Sequence, residues 1–189
     1  DYLEIRPEME QKLIDLIKSD RIAIGPWYNQ PDLWTSHELI ARNLLKGGVL
    51  AKKYGGGQKV GYCPDLFGHC SQMPQIMRLI GVDNYIFERG LGNEMNAPEF
   101  SNEFWWEGPD GSRLLTYFMP GGGYANAKNH PDTQLEFNNF MLFSFSMLQR
   151  SKSHVYFIGG GGEHYIPQKV TPKLIEGFNE DEDVREELD

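Results

Sequence analysis

Two carboxylates stand where a sheet of parallel strands would present them. Asp65 follows Tyr62-Cys63-Pro64 at the end of one short apolar run, and Glu163 follows the glycines of residues 159–162 at the end of another. Pro64 stiffens the exit toward Asp65, because its ring fixes φ and it offers no N–H. A carboxylate held this way could be a nucleophile, a metal ligand or both, and it could equally be a turn or N-cap aspartate. The glycines let backbone come close to a ligand, and a carboxylate beside them can act as general acid or base. No Gly-Lys-Ser/Thr follows them, so they do not form a phosphate loop. Asp65-x-x-x-His69 could chelate a metal, or His69 could be a satisfied structural group; the spacing alone does not decide. Cys63 and Cys70 have no base arranged beside them, and no Gly-x-Ser-x-Gly occurs, which argues against a thiol or serine nucleophile.

The elements that must carry these residues follow from periodicity. Residues 7–19 place Met9, Leu13, Leu16 and Ile17 on one helical face, and residues 21–25 read as a short buried strand. Ser36 suits an N-cap, with a helix to about residue 54 that turns Leu39, Ile40, Leu44 and Leu45 inward and stops at the glycines of 55–57. Residues 59–63 and 84–87 read as strands, with a helix over 72–80 between them. Residues 103–117 form a hairpin around Pro109-Asp110-Gly111. Asp132 is expected to cap a helix to about residue 150, ahead of a last strand over 154–158 and a helix over 172–179. Strands alternating with helices predict an α/β fold with parallel strands and outer helices, either an open doubly wound sheet or part of a β/α barrel.

Ligands in such folds bind at the carboxyl ends of the strands. That edge would collect Trp27, Tyr28, Gln30 and Asp32, then Asp65 and His69, Glu88 and Arg89, Tyr124, and finally Glu163 and His164. Aromatic residues make up 13% of the chain, many beside Gly, Pro or Asp. Aromatic rings among carboxylates suit sugar sites, since ring faces stack on the apolar faces of pyranoses; packing is the plainer use of the same residues.

The chain has 189 residues, enough for about one domain with a real core. Its charge is 18 − 27 = −9, a poor match to a phosphate backbone, so no nucleic-acid partner is expected. No apolar run reaches the ~18 residues of a membrane span, so no membrane partner is expected either. Two cysteines make no disulfide scaffold and suit a reducing compartment, which points to the cytoplasm. One domain over 1–180 with an acidic tail over 181–189 is expected.

Several of these blocks together carry a family resemblance. Ile24-Gly-Pro-Trp-Tyr28 with Pro31-Asp32, Ser36-His-Glu-Leu-Ile-Ala-Arg-Asn-Leu-Leu45, Gly61-Tyr-Cys-Pro-Asp-Leu-Phe-Gly-His69 with Gln72-Met-Pro-Gln-Ile76, Phe87-Glu-Arg-Gly90, Phe104-Trp-Trp-Glu-Gly-Pro-Asp-Gly-Ser112, Tyr124-Ala-Asn-Ala127 and Gly162-Glu-His164 with Pro167 resemble, in order, the catalytic domain of glycoside hydrolase family 38, the α-mannosidases. The Pro-Asp-x-Phe-Gly block is the specific part.

The resemblance implies a seven-stranded β/α barrel-like domain and a zinc-dependent retaining hydrolysis of terminal α-mannosides of oligosaccharides or glycans. It makes Asp65 the nucleophile and one zinc ligand, and puts the acid/base at Glu163, where the family usually has Asp. It matches the family's arginine near the nucleophile to Arg89 and a sugar-contacting tyrosine to Tyr124, beside substrate-binding Trp27, Tyr28, Asp32 and His164. The family's His-x-Asp zinc pair and a further zinc histidine fall outside the matched blocks, so this chain alone is expected to bind zinc poorly and to turn over little. His37, where the family favours Gly, and Cys70 have no assigned role. The alternatives are a sugar-binding or interaction module without turnover, and another metal-assisted carbohydrate hydrolase of a deacetylase-like kind. The five scattered histidines argue against the latter.

Overall fold

The structure is a computed structural model; it describes residues 2–30, 36–93, 97, 99–120, 123–125, 132–146, 150–153, 155–160, 166 and 168–182. The elements, in chain order, are α1 (Tyr2–Ile5), a 3-10 turn (Pro7–Met9), α2 (Glu10–Lys18), α3 (His37–Lys53), β1 (Val60–Cys63), α4 (Met73–Leu79), β2 (Asn84–Phe87), β3 (Glu103–Glu107), β4 (Arg113–Phe118), a 3-10 turn (Gly123–Ala125), α5 (Gln134–Ser146) and α6 (Thr171–Glu180). The four strands form one mixed α/β sheet in the order β1-β2-β4-β3. β1 and β2 are parallel, with Val60 opposite Asn84 and Cys63 opposite Phe87. The chain divides into two compact units, Asp1–Gly90 with Trp105–Thr116, and Leu91–Phe104 with Tyr117–Asp189.

In the first unit, α3 starts where the sequence puts its cap: the Ser36 side chain accepts from the Leu39 N–H. Its buried stripe is Ile40, Leu44, Gly47 and Ala51, spaced four, three and four residues apart. Leu39 and Leu45, expected inside, are 45% and 62% exposed, because both lie off that stripe. Gly47 is required for close packing: a Cβ there would fall 2.1 Å from the Pro26 carbonyl oxygen and 2.5 Å from Tyr28 N. The helix ends at Gly55 and Gly56, whose φ values of 111° and 139° suit glycine; Gly56 N–H caps the Ala51 carbonyl at 2.9 Å.

Two expected strands are absent among the described residues. Residues 21–25 are not in the sheet: the Arg21 and Ile22 N–H groups bond back to the Leu16 carbonyl at the end of α2, at 2.9 and 3.2 Å, and only the Ile24 carbonyl accepts from Gln58 N. Residues 155–158 carry no strand either. Phe157 N–H goes to the Tyr117 hydroxyl at 3.2 Å, and the Val155 carbonyl accepts from the Ser151 hydroxyl at 3.3 Å. Backbone groups satisfied by side chains have no ladder partner to offer.

In the second unit, α5 and α6 build a small core of Phe137, Leu174 and Phe178, with Met141, Leu142, Phe145 and Val170 against it. Phe145 and Phe178 stack at 6.0 Å. α5 covers Gln134–Ser146, and the expected continuation toward residue 150 runs through 147–149, which lie outside the described residues. The Asp132 carboxylate accepts from the Gln168 side chain rather than from an N–H of α5, and Thr133 donates to Glu136 in the first turn. Near the start of β3, Glu103 accepts from the Ser151, Ser153 and Ser101 hydroxyls and the Lys152 N–H. Burial works against its charge, but these donors outweigh it and hold the carboxyl below its ordinary range.

Candidate active site

The carboxyl ends of β1 and β2 lie side by side because the two strands are parallel and in register. Pro64-Asp65 leaves β1 there, and Glu88-Arg89 leaves β2. Arg89 Nε donates to Asp65 Oδ1. Its guanidinium carbon also lies 5.5 Å from the centroid of the Phe67 ring, which gives it an aromatic face. The Asp65 and Arg89 side chains are 28% and 50% exposed. A pair this open contributes about 0–1 kcal/mol to stability, so its consequence is orientation of the carboxylate.

Behind the pair sits His69. Its Nδ1 is 3.1 Å from the Tyr85 hydroxyl and its Nε2 is 2.9 Å from the Arg89 carbonyl oxygen. Its ring meets Phe87, Tyr85 and Trp106 edge-on, with centroids 4.7, 5.6 and 5.9 Å away. Burial pushes the His69 imidazole below its ordinary range, with the Arg89 carbonyl working in the opposite direction. Gly90 closes the other side, with φ of 109°; a Cβ there would fall 2.8 Å from His69 Cδ2. With both ring nitrogens engaged by protein groups, His69 is a structural group and not half of an Asp-His chelate.

Cys63 and Tyr85 complete the interior. Both are fully buried. Burial pushes the Cys63 thiol up to about 12, against the opposing effect of its hydrogen bonds with Tyr85 and Trp27, so it stays protonated and inert as a nucleophile. Burial, and then the neighbouring Cys63, raise the Tyr85 hydroxyl well above its ordinary value. A Cβ at Gly61 would fall 2.4 Å from Tyr85 Cδ2, so only glycine at 61 leaves room for that ring.

Trp27 joins this edge. Its indole Nε1 donates to the Tyr62 carbonyl at 3.0 Å, which pins it beside the last residues of β1. Tyr28 follows in the loop held by Asn43, and one face of its ring is taken by the Lys46 ammonium at 3.7 Å. Tyr124 belongs to the second unit. It sits in the Gly123–Ala125 turn, and its backbone lies where a Cβ of Gly159 would be, 2.0 Å from the Tyr124 carbonyl oxygen. The first glycine of that stretch therefore serves chain packing. Asp32, Glu163 and His164 lie outside the described residues.

Asp65, Arg89 and Trp27 are thus brought to one edge, as the sequence suggests. The aromatic surround of His69 was missed. Its signal is the period-2 pair Tyr85 and Phe87 on β2, which turns both rings to the side that His69 occupies. As to zinc, no three His, Cys, Asp or Glu side chains gather to hold a metal among the described residues. Asp65 is paired with Arg89 and His69 has no nitrogen to spare, so these residues alone do not make a zinc site.

The fold and this edge define an α/β protein whose polar chemistry is placed at the carboxyl ends of parallel strands. Residues 1–188 match the sequence model of the glycosyl hydrolases family 38 N-terminal domain, and the chain belongs to that family. It is 32% identical over 186 residues to a Halalkalibacterium halodurans protein named "Putative mannosylglycerate hydrolase", covering 92% of this chain and 21% of that protein. It is 36% identical over 127 residues to an alpha-mannosidase of Saccharomyces cerevisiae, covering 65% of this chain and 12% of the other. Among solved structures, an alpha-mannosidase from Enterococcus faecalis V583 is similar with a TM-score of 0.82 and 28% identity, over 95% of this chain and 20% of that one. The chain therefore spans between 12% and 21% of the length of these relatives.

Proposed function

We propose that this chain is part of the catalytic domain of a zinc-dependent retaining α-mannosidase acting on terminal α-mannosides of oligosaccharides or glycans. The observation that supports it most is Asp65 at the carboxyl end of β1, in the family's Pro-Asp-x-Phe-Gly block, with Arg89 holding one of its oxygens. In this reading an Asp65 carboxylate oxygen attacks the anomeric carbon while Glu163 gives its proton to the departing glycosidic oxygen. Water then attacks the glycosyl-aspartate, Glu163 takes its proton, and Asp65 leaves. A retaining reaction asks for about 5–5.5 Å between the two carboxyls. Trp27, Tyr28, Asp32, Arg89, Tyr124 and His164 contact the sugar, and Arg89 also keeps the nucleophile aimed. Asp65 supplies one zinc ligand, with the others from outside the described residues, and the domain is a β/α barrel of seven strands. The free thiols of Cys63 and Cys70 support a reducing, cytoplasmic location.

The name of the Halalkalibacterium relative favours a second substrate, an α-mannoside of glycerate. Both substrates share the mannosyl transfer to Asp65 and differ only in the leaving group.

The test uses residues 1–188 in place of the matching segment of the Enterococcus alpha-mannosidase, with the wild-type graft as folding control. A ring-fluorinated α-mannosyl fluoride, whose glycosyl-enzyme hydrolyses slowly, should add one sugar mass to the peptide carrying Asp65. A folded graft that turns over α-mannosides yet labels elsewhere overturns the assignment.

A further inference from the structure

We propose that His69 is a positioning residue: as the Nε2–H tautomer, it holds the Arg89 main chain so that the Arg89 side chain stays on Asp65. The importance of that pair rests on the reading of Asp65 as the reacting carboxylate.

The tautomer follows from hydrogen-bond chemistry. A carbonyl oxygen only accepts, so the contact between Nε2 and the Arg89 carbonyl at 2.9 Å requires the proton on Nε2. Nδ1 then carries a lone pair, and the Tyr85 hydroxyl 3.1 Å away must donate to it. The donors run one way, from Tyr85 to His69 to the Arg89 carbonyl. Turning the ring over would put Cδ2 and Cε1 at both positions and forfeit both bonds.

The ring is also fixed mechanically. Phe87, Tyr85 and Trp106 surround it, and the Gly90 backbone stands so close that a Cβ there would clash with Cδ2. Arg89 is thus gripped at its carbonyl by His69 while its guanidinium reaches Asp65. An exposed arginine otherwise wanders among many rotamers, and holding it in one costs conformational entropy. Anchoring its backbone removes part of the freedom that would carry the guanidinium away.

The experiment is nuclear magnetic resonance on this chain with 15N-labelled histidine and arginine. In the wild type, His69 should show a protonated Nε2 and an unprotonated Nδ1, and the Arg89 Nε–H should exchange slowly with water. His69→Phe keeps a ring and loses the donor; His69→Gln places an amide N–H near the position of Nε2–H. With strand amide signals unchanged, His69→Phe should speed Arg89 Nε–H exchange about tenfold, the equivalent of one lost hydrogen bond, and His69→Gln should largely restore it. An Nδ1–H tautomer in the wild type, or unchanged Arg89 exchange in folded His69→Phe, overturns the proposal. Should His69→Phe not fold, His69→Leu takes its place: it too lacks the donor to the Arg89 carbonyl, and unchanged exchange at Arg89 again overturns the proposal. None of these signals needs turnover, so a failure of the mannosidase reading, seen as labelling away from Asp65, leaves this result standing.

Discussion

The two ends of β1 and β2 are built to opposite rules. At the carboxyl end, polar groups follow one another in series: Asp65 with Arg89, the Arg89 carbonyl with His69, His69 with Tyr85. At the amino end, residues 57–59 and 81–82 line a cavity of about 800 Å³ together with Pro26, Leu44, Leu45, Val49 and Leu79. Leu45, Val49 and Leu79 are 62%, 71% and 79% exposed there. The cavity wall is mostly apolar, with Lys52 and Lys59 the titratable groups among its described lining residues, while the Arg78–Asp83 ion pair stands just before β2. Under the proposed function, the crowded end carries the chemistry. Volume is therefore a poor guide to the site in this chain, and the direction of the strands a good one.

That contrast can be broken first at Asp65. In the graft described above, Asp65→Asn should lower mannoside turnover by at least about 10³-fold, as loss of a nucleophile does; the unfolding midpoint in urea should hardly move. Leu44, 1% exposed and lining the amino-end cavity, is the reverse case. Leu44→Ala should cost about 2–5 kcal/mol in urea unfolding and leave the slow Arg89 Nε–H exchange intact.

Ser36→Ala removes the one side-chain cap of α3 and should cost about 1 kcal/mol by the same measurement. The pH dependence sharpens the carboxyl end. His69 is held below its ordinary pKa when folded, so the unfolded chain binds the extra proton and stability falls as pH drops below about 6.5. The urea midpoint should decline from pH 7.5 to pH 5.5 in the wild type, and His69→Gln should flatten that decline. Smallest of all, Leu79→Ser at the open amino end should stay within about 0.5 kcal/mol of the wild type.

Much of this was legible because local chemistry and the final fold agree. Ser36 followed by an apolar stripe marks the start of α3, and Asn84–Phe87 was bounded correctly by its aliphatic and aromatic run. The misses have one cause: a strand needs a neighbour, and a neighbour is not written in the strand. Residues 21–25 have the right composition, yet their first N–H groups are drawn back to Leu16. Leu39 and Leu45 are apolar and helical, yet the buried stripe, whose Gly47 packs on Pro26–Tyr28, passes between them. At the site, Asp65 and Arg89 could be placed from strand ends alone. The setting of His69 could not, because Trp106 reaches it from β3, far along the chain.

The pairing of Cys63 with Phe87 has a consequence for how the chain can change length. Asp65 and Arg89 each stand two residues beyond that rung, so the sheet counts them into opposition the way two combs align by their teeth. Residues added to or removed from the stretch around α4, between the two strands, leave the count unchanged. One residue gained within either two-step interval instead moves one partner out of step with the other.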